Sequence, residues 1–191
     1  TNDGLQKFVA GGFEIEDDVS INTADENYIS WNWVANGGTT SANSDGSGAT
    51  LASTIQANQT AGFSIVTYTG NATAGAKVAH GLSQAPDWLW ITNRTATSGS
   101  AAGPKMYHHK NTAAPETDYL ALSTTDATYD AIFLNDTAPD AKCFTLGPTG
   151  YATNNNGSTY VAYCWHEVPG FSKFGTYQGN GNADGPFVYT G

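Results

Sequence analysis

Residues Ile29-Ser30-Trp31-Asn32-Trp33 alternate apolar and polar with a period of two, and Val161-Ala162-Tyr163-Cys164-Trp165 does the same. That period puts successive side chains on opposite faces of a half-buried strand. Similar runs predict strands over 5–9, 13–16, 63–68, 87–92, 104–109, 118–122, 131–134, 143–147, 171–177 and 186–189. Between them lie clusters of Asn, Gly, Thr, Asp and Pro, which turn the chain through backbone freedom or local side-chain hydrogen bonds. No stretch keeps a 3.6-residue apolar period for more than about two turns. Strands about ten residues apart predict an all-β fold, an antiparallel β-sandwich of jelly-roll or Ig-like kind.

The apolar pattern also recurs. Residues 13–33 and 144–165 both read Phe-x-aliphatic, a polar turn-rich stretch, then Tyr-aliphatic-x-aromatic-x-Trp. Phe13 matches Phe144, Tyr28 matches Tyr160, Trp31 matches Tyr163 and Trp33 matches Trp165. A second pair joins AGFSIVTYTGN (61–71) to PGFSKFGTYQGN (169–180). Self-similarity of this kind is the mark of tandem building blocks. The predicted organisation is the C-terminal piece of a preceding repeat (1–34), a Gly/Ser/Thr-rich linker (35–61), a complete sandwich module (62–168) and the start of a following repeat (169–191). On this reading the chain is expected to be cut from a longer array. Within the linker, STIQANQ is the segment able to pair as an edge strand.

Composition narrows the class. Gly, Thr, Asn and Ser make 76 of the 191 residues, and 12% are aromatic, which suits a turn-rich β protein and not a helix bundle. Seven basic against 17 acidic residues give a net charge of −10. Such a balance argues against a nucleic-acid partner, whose phosphates need a basic footprint, and against an anionic membrane surface. No apolar run approaches the roughly 18–20 residues of a membrane span, and TNDGLQKF does not read as a signal peptide.

Signatures for nucleotide binding and the common hydrolases (GxGxxG, GxxxxGK[ST], HExxH, GxSxG) are missing from the sequence, and no cofactor is expected. The densest chemical cluster is Lys105-Met106-Tyr107-His108-His109-Lys110. On a strand, Lys105, Tyr107 and His109 would share one face, offering the base, acid and cation of a polysaccharide lyase. The plainer reading is a sheet face on which Tyr107 packs. His80 reads as an exposed loop histidine and His166 as a packing residue at a module junction. Asp17, Asp18 and Asp25 are weak calcium candidates, since hard cations take clustered oxygens; a solvated hairpin tip is the alternative. Of the five tryptophans, Trp88 and Trp90 are the candidates for stacking on sugar rings, and core placement is expected for the others. Cys143 and Cys164 are either two half-buried thiols or, if their strands pair, one cross-strand disulfide.

GFSIVTYTGN, HGLSQAPDWLWITNR, YLALST, NDTAP followed by FTLG, and TYVAYCWHEVPGFSKFGTYQGNGNADGPFVYTG together resemble an uncharacterised repeated β-domain. That domain occurs in tail-fibre-like and other virion proteins of marine phages, including cyanophages. The resemblance covers about residues 28–191 and is densest over 159–191. It carries no assigned catalytic residue, and Met106 and the doubled His109 depart from its usual pattern. It implies a virion structural or host-recognition module, located in the virion or outside the cell. The implied partners are other virion proteins, copies of itself (a trimer by analogy with fibres) and host cell-surface polysaccharide. The alternative from a different class is a polysaccharide-degrading enzyme, lyase or hydrolase, on the same scaffold.

Overall fold

The computed structural model describes residues 4–35, 38–41, 46–96, 103–122, 124–150 and 152–190, with the backbone alone for 39–41. The chain divides into two compact units, Thr1–Trp33 and Val34–Gly191. The first holds an antiparallel hairpin of β1 (Leu5–Val9) and β2 (Gly12–Ile15), with Phe8 opposite Phe13 and Val9 opposite Gly12. Gly11 takes a φ of +84° at the turn, a backbone state open to glycine because it has no Cβ. The predicted strand over 28–33 is not formed. Ile29 and Trp31 are 85% and 79% exposed, so the expectation that Trp31 and Trp33 lie in a core is corrected.

The second unit is an all-β sandwich. Its main layer is an eight-stranded antiparallel sheet built from β3 (Thr39–Ser41), β4 (Ser53–Asn58), β5 (Phe63–Thr69), β7 (Trp88–Asn93), β8 (Lys105–His108), β9 (Asp118–Ala121), β10 (Tyr129–Asp130) and β12 (Thr159–Trp165). The order is β10-β9-β8-β7-β12-β5-β4-β3. Two meanders, β3 to β5 and β7 to β10, are thus joined by the last strand, which lies between them. A second, two-stranded layer pairs β6 (Ala76–Ala79) with β11 (Cys143–Leu146). The sole helical turn among the described elements is a 3₁₀ segment, Pro115–Thr117.

The period-two pattern sets the layers. In β12, Tyr160, Ala162 and Cys164 are buried while Val161 and Tyr163 are half-buried on the opposite face. The inward residues join Val66, Tyr68, Leu89 and Ile91 of the large sheet to Val78, Phe144 and Leu146 of the small one in a single core. Full burial of each such side chain contributes roughly 1.5–3 kcal/mol. Residues 131–134 form no strand as predicted; they make a turn that drives Phe133 and Leu134, both 0% exposed, into that core. Asn135 and Asp136 follow at positive φ, reversing the chain too tightly for a ladder to continue. The stretch 35–61, expected as a linker, supplies β3 and β4 to the sheet; its residues 36, 37 and 42–45 lie outside the described residues. Over 171–177 and 186–189 no strand forms, and an isolated bridge between Val168 and Ser172 is the local pairing.

Buried polar groups tie the loops to the core. Tyr68 and Tyr160 stack at 5.0 Å; the Tyr68 hydroxyl donates to the Thr153 carbonyl, and that of Tyr160 accepts from the Asn155 amide. Asn154 donates to the carbonyls of Thr73 and Gly147 and accepts from the Asn71 amide. His80, read from the sequence as exposed, is 0% exposed. Its Nε2 lies 3.0 Å from the Asp140 carbonyl and its Nδ1 accepts from the Leu82 amide. That geometry suits a neutral ring carrying its proton on Nε2, because a second proton on Nδ1 would face the Leu82 N–H.

Two outcomes follow for stability. Burial lowers the pKa of His80 in the folded chain, whereas the unfolded imidazole titrates near about 6.5. Its contribution is therefore fully present above pH 6.5 and shrinks as pH falls below it, because the unfolded state then binds the extra proton. Urea midpoints should drop between pH 7.5 and 5, and His80→Gln should flatten that dependence while lowering stability at pH 7.5. A Cβ on Gly147 would stand 1.9 Å from the Ile132 carbonyl oxygen, whereas one on Gly179 meets nothing within 4 Å. Gly147→Ala should accordingly cost about 2 kcal/mol or more in urea unfolding, and Gly179→Ala under about 0.5 kcal/mol.

Candidate functional site

Side chains of β4, β5, β12, β7, β8 and β9 that do not enter the core point to the outer face of the large sheet. Register places them in rows. One row runs Asn58, Phe63, Trp165, Trp88 and His108; the next runs Gln56, Ile65, Tyr163, Trp90, Met106 and Leu120. A third runs Thr54, Thr67, Val161 and Thr92. Beyond it lie Thr69, Thr159 and Arg94. The face therefore grades from aromatic at the Trp88 end to hydroxyl-rich at the Arg94 end.

The aromatic end is a packed ladder. Trp88 stacks on Trp165 with ring centroids 4.6 Å apart, and Phe63 lies 5.1 Å from Trp165. Trp90 meets Tyr163 at 5.8 Å with a 57° tilt. Phe63, Trp165 and Met106 are buried, whereas Trp88, Trp90, Tyr163, Ile65 and Val161 are half-buried and keep ring or alkyl surface open. The Trp90 Nε1–H is shut off from solvent with no acceptor among the described residues, so Trp90 is held by its ring contacts. At the hydroxyl end an open groove of about 460 Å³ is lined by Thr54, Thr67, Thr69, Thr159, Tyr68 and Arg94, among others. Arg94 is exposed and forms no ion pair among the described residues.

A polar clamp seats the chain after β12 against Trp88. Asp87 Oδ1 lies 2.8 Å from His109 Nδ1, and its Oδ2 accepts from the Glu167 amide at 2.7 Å. Glu167 Oε1 accepts from the Phe174 amide at 3.0 Å. The Phe174 carbonyl faces both His109 Nε2 (3.2 Å) and Lys110 Nζ (3.4 Å), and the Phe174 ring lies 5.7 Å from Trp88. Trp88 is thereby covered on one side by Phe174, whereas Trp90 meets Tyr163; both indoles are half-buried. Sequence reasoning did not single out Asp87, Glu167 or Phe174. Their one signal is proximity to the aromatic run, since apart from the Glu167–Phe174 bond across seven residues their partners are distant in sequence, as with Asp87 and Glu167, 80 residues apart.

The Lys105, Tyr107 and His109 face takes a different form from the one predicted. Lys105 and Tyr107 do share a side of β8, but that side is the core. The Tyr107 phenol is buried, which with the nearby Glu116 and Asp87 carboxylates pushes its pKa up to about 12. Burial pulls the Lys105 ammonium below the usual lysine range, and it stands 5.0 Å over the Tyr119 ring. His109 lies past the end of β8 and is engaged at both ring nitrogens by Asp87 and Phe174. Each of the three thus has its own set of partners, and the structure does not gather them as a base, acid and cation. His166 directly follows β12 and is buried, with Gln84 2.8 Å from its Nδ1.

The remaining candidates resolve as follows. Asp18 accepts from the Ser20 amide in a turn, and Asp25 takes a φ of +66°. Among the described residues no group of three or more His, Cys, Asp or Glu side chains is placed to hold a metal ion, which corrects the calcium expectation for Asp17, Asp18 and Asp25. Cys143 and Cys164 are free and buried. Their strands do not pair: β11 lies against β6, and β12 against β5 and β7, so the condition for a cross-strand disulfide fails. Burial raises the Cys164 thiol to about 12, which keeps it protonated and unreactive.

Among the described residues no helix is long and apolar enough to cross a membrane. No curated protein and no solved structure matches this chain. The match that exists is to a protein family over residues 1–191, and the chain belongs to that family, Domain of unknown function (DUF7483).

Proposed function

We propose that this chain is a virion structural and host-surface recognition module that holds cell-surface polysaccharide weakly on the outer face of its large sheet. The observation that carries the reading is the half-exposed pair of Trp90 and Tyr163, set between an aromatic ladder and a threonine-lined groove. A pyranose ring has one face of C–H groups, which packs on an indole as an apolar surface does. Its hydroxyls then meet Gln56, Thr67 and Thr92, and a carboxylate or sulfate on an acidic sugar would suit Arg94. The assignment to a virion rests on the resemblance to phage tail-fibre-like domains. That resemblance also supplies the proposed partners, other virion proteins and further copies in a fibre-like, trimeric assembly, and the extracellular setting.

An open, shallow face of this kind gives weak single contacts. Such contacts serve adhesion when many copies act together, because linkage turns later binding events into intramolecular ones. Nuclear magnetic resonance titration with bacterial and algal polysaccharide fragments should move the Trp90 indole and Tyr163 signals at millimolar ligand. Trp90→Ala should weaken binding about tenfold, roughly 1.4 kcal/mol, and Trp90→Phe should keep most of it. Leu122→Ala, on the loop after β9, should change nothing. A broad panel that leaves the face unperturbed, or equal losses in Trp90→Ala and Leu122→Ala, would reject the reading.

A further inference from the structure

We infer that the segment following β12 carries a second glycan site, centred on Lys173 and Tyr189, that takes a polymer of uronate sugars. The ligand class rests on the glycan reading above, whereas the site shares no residue with the Trp90–Tyr163 face.

The segment is coil, yet it is held in place. Val168 and Ser172 close an isolated antiparallel bridge, and the Ser172 amide donates to the Val168 carbonyl. Phe174 is bonded at its amide by Glu167 and at its carbonyl by His109 and Lys110. The Lys173 Nζ stands 4.9 Å over the Tyr189 ring, which ties the two ends of the segment to each other. A ligand meeting a backbone already fixed in this way has less ordering to impose on it.

Two open pockets lie against this segment. One, of about 490 Å³, is lined by Lys110, Lys173, Thr176, Tyr177, Tyr189 and Thr190, among others. The other, of about 480 Å³, has Glu167, Phe171 and Ser172 in its wall and shares Lys173, Tyr189 and Thr190 with the first. Each is within the size range of small-ligand sites. The shared residues make them neighbours, with the Lys173–Tyr189 pair common to both. Two adjoining subsites suit a linear chain of sugars better than a single ring.

Charge and ring surface select the sugar. The chain has seven basic residues, and two of them line the first pocket. Lys110 Nζ lies 3.9 Å from Glu167 Oε1, whereas Lys173 makes no ion pair with a carboxylate among the described residues. Two ammoniums against one carboxylate leave one surplus positive charge, which matches the one carboxylate of a uronate ring. An ammonium has three donors, so Lys173 can bond that carboxylate while it stays over Tyr189. Tyr177 and Tyr189 are 72% and 68% exposed and offer ring faces to the C–H side of a pyranose. The chain as a whole, at −10, repels a polyanion. At about 0.15 M salt, charges more than about 8 Å away are largely screened, which leaves the contacts inside the pocket to decide.

The test is a nuclear magnetic resonance titration of the full chain in about 0.15 M salt, where only near charges count. The probes are alginate fragments and, as the neutral control, dextran fragments of equal length. Alginate should shift the Tyr177 and Tyr189 ring signals, and dextran should not. Lys173→Gln should weaken alginate binding about tenfold, the scale of one hydrogen bond to a charged group, and Lys173→Arg should keep it. Lys7→Gln, which removes a lysine paired with Glu14 in the first unit, should change nothing. Trp90→Ala should leave the Tyr177 and Tyr189 shifts intact. Equal binding of dextran, equal losses in Lys173→Gln and Lys7→Gln, or loss of these shifts in Trp90→Ala would overturn the inference. Poly-glutamate that binds as tightly as alginate would overturn it too, because the site would then read charge without sugar. Shifts confined to Trp90 and Tyr163 would remove this site and leave the outer-face reading standing; shifts at Tyr177 and Tyr189 with none at Trp90 would do the reverse.

Discussion

The sandwich depends on the insertion of β12 between β5 and β7. Thr159–Trp165 comes last among the strands yet lies near the middle of the sheet, laddered to β5 on one side and β7 on the other. Without it the two meanders would each present an unpaired edge, with backbone donors and acceptors open to water or to another chain. Its inward residues carry the core and its outward residues carry the aromatic face, because one strand with period two serves both. Tyr160 anchors loop residue Asn155 from the inside, while Tyr163 and Trp165 bridge Ile65, Phe63, Trp90 and Trp88 on the outside. A one-residue slip would exchange these faces, placing Tyr163 in the core and Tyr160 in solvent. The site and the fold thus rest on one register.

The second constraint is satisfaction of polar groups in the core. Asn154, His80 and the hydroxyls of Tyr68 and Tyr160 are all withdrawn from water, which is costly unless each finds partners. They find them in loops: Asn154 links Asn71, Thr73 and Gly147, and His80 links Leu82 to Asp140. A chain with so many turn residues needs such knots, since turns supply few apolar contacts of their own. The same knots explain the tight glycines, because Gly70 and Gly147 pass where a side chain would strike the backbone of the neighbouring loop.

Much of the module was legible because its strands are half-buried and so write their geometry as alternation. β5, β7, β11 and β12 all fall within a residue or two of the predicted runs. The same alternation at 28–33 and 171–177 gave no strand, since alternation states which faces differ and says nothing of whether a partner is present. The face bearing Lys105 and Tyr107 was correctly paired by parity, but which of two faces meets the core is decided by β6 and β11, distant in sequence. His80 illustrates the same limit. Its Gly-flanked setting reads as a surface turn, and only its contact with Asp140, 60 residues away, makes it an interior residue. The clamp beside Trp88 joins Asp87, its neighbour in sequence, to the distant His109 and Glu167, and so leaves no local pattern to read.

These two levels meet in the segment after β12. The Phe174 N–H is held by Glu167 and its carbonyl by His109 and Lys110, so its ring is seated on Trp88 by bonds to the backbone and not by ring packing alone. The aromatic end of the face is thereby fixed in place by polar contacts, while the threonine end stays an open groove. A face so shallow holds a ligand weakly at one copy, and linkage of copies is what would convert such contacts into adhesion, because the next site then stands at high effective concentration once the first is filled.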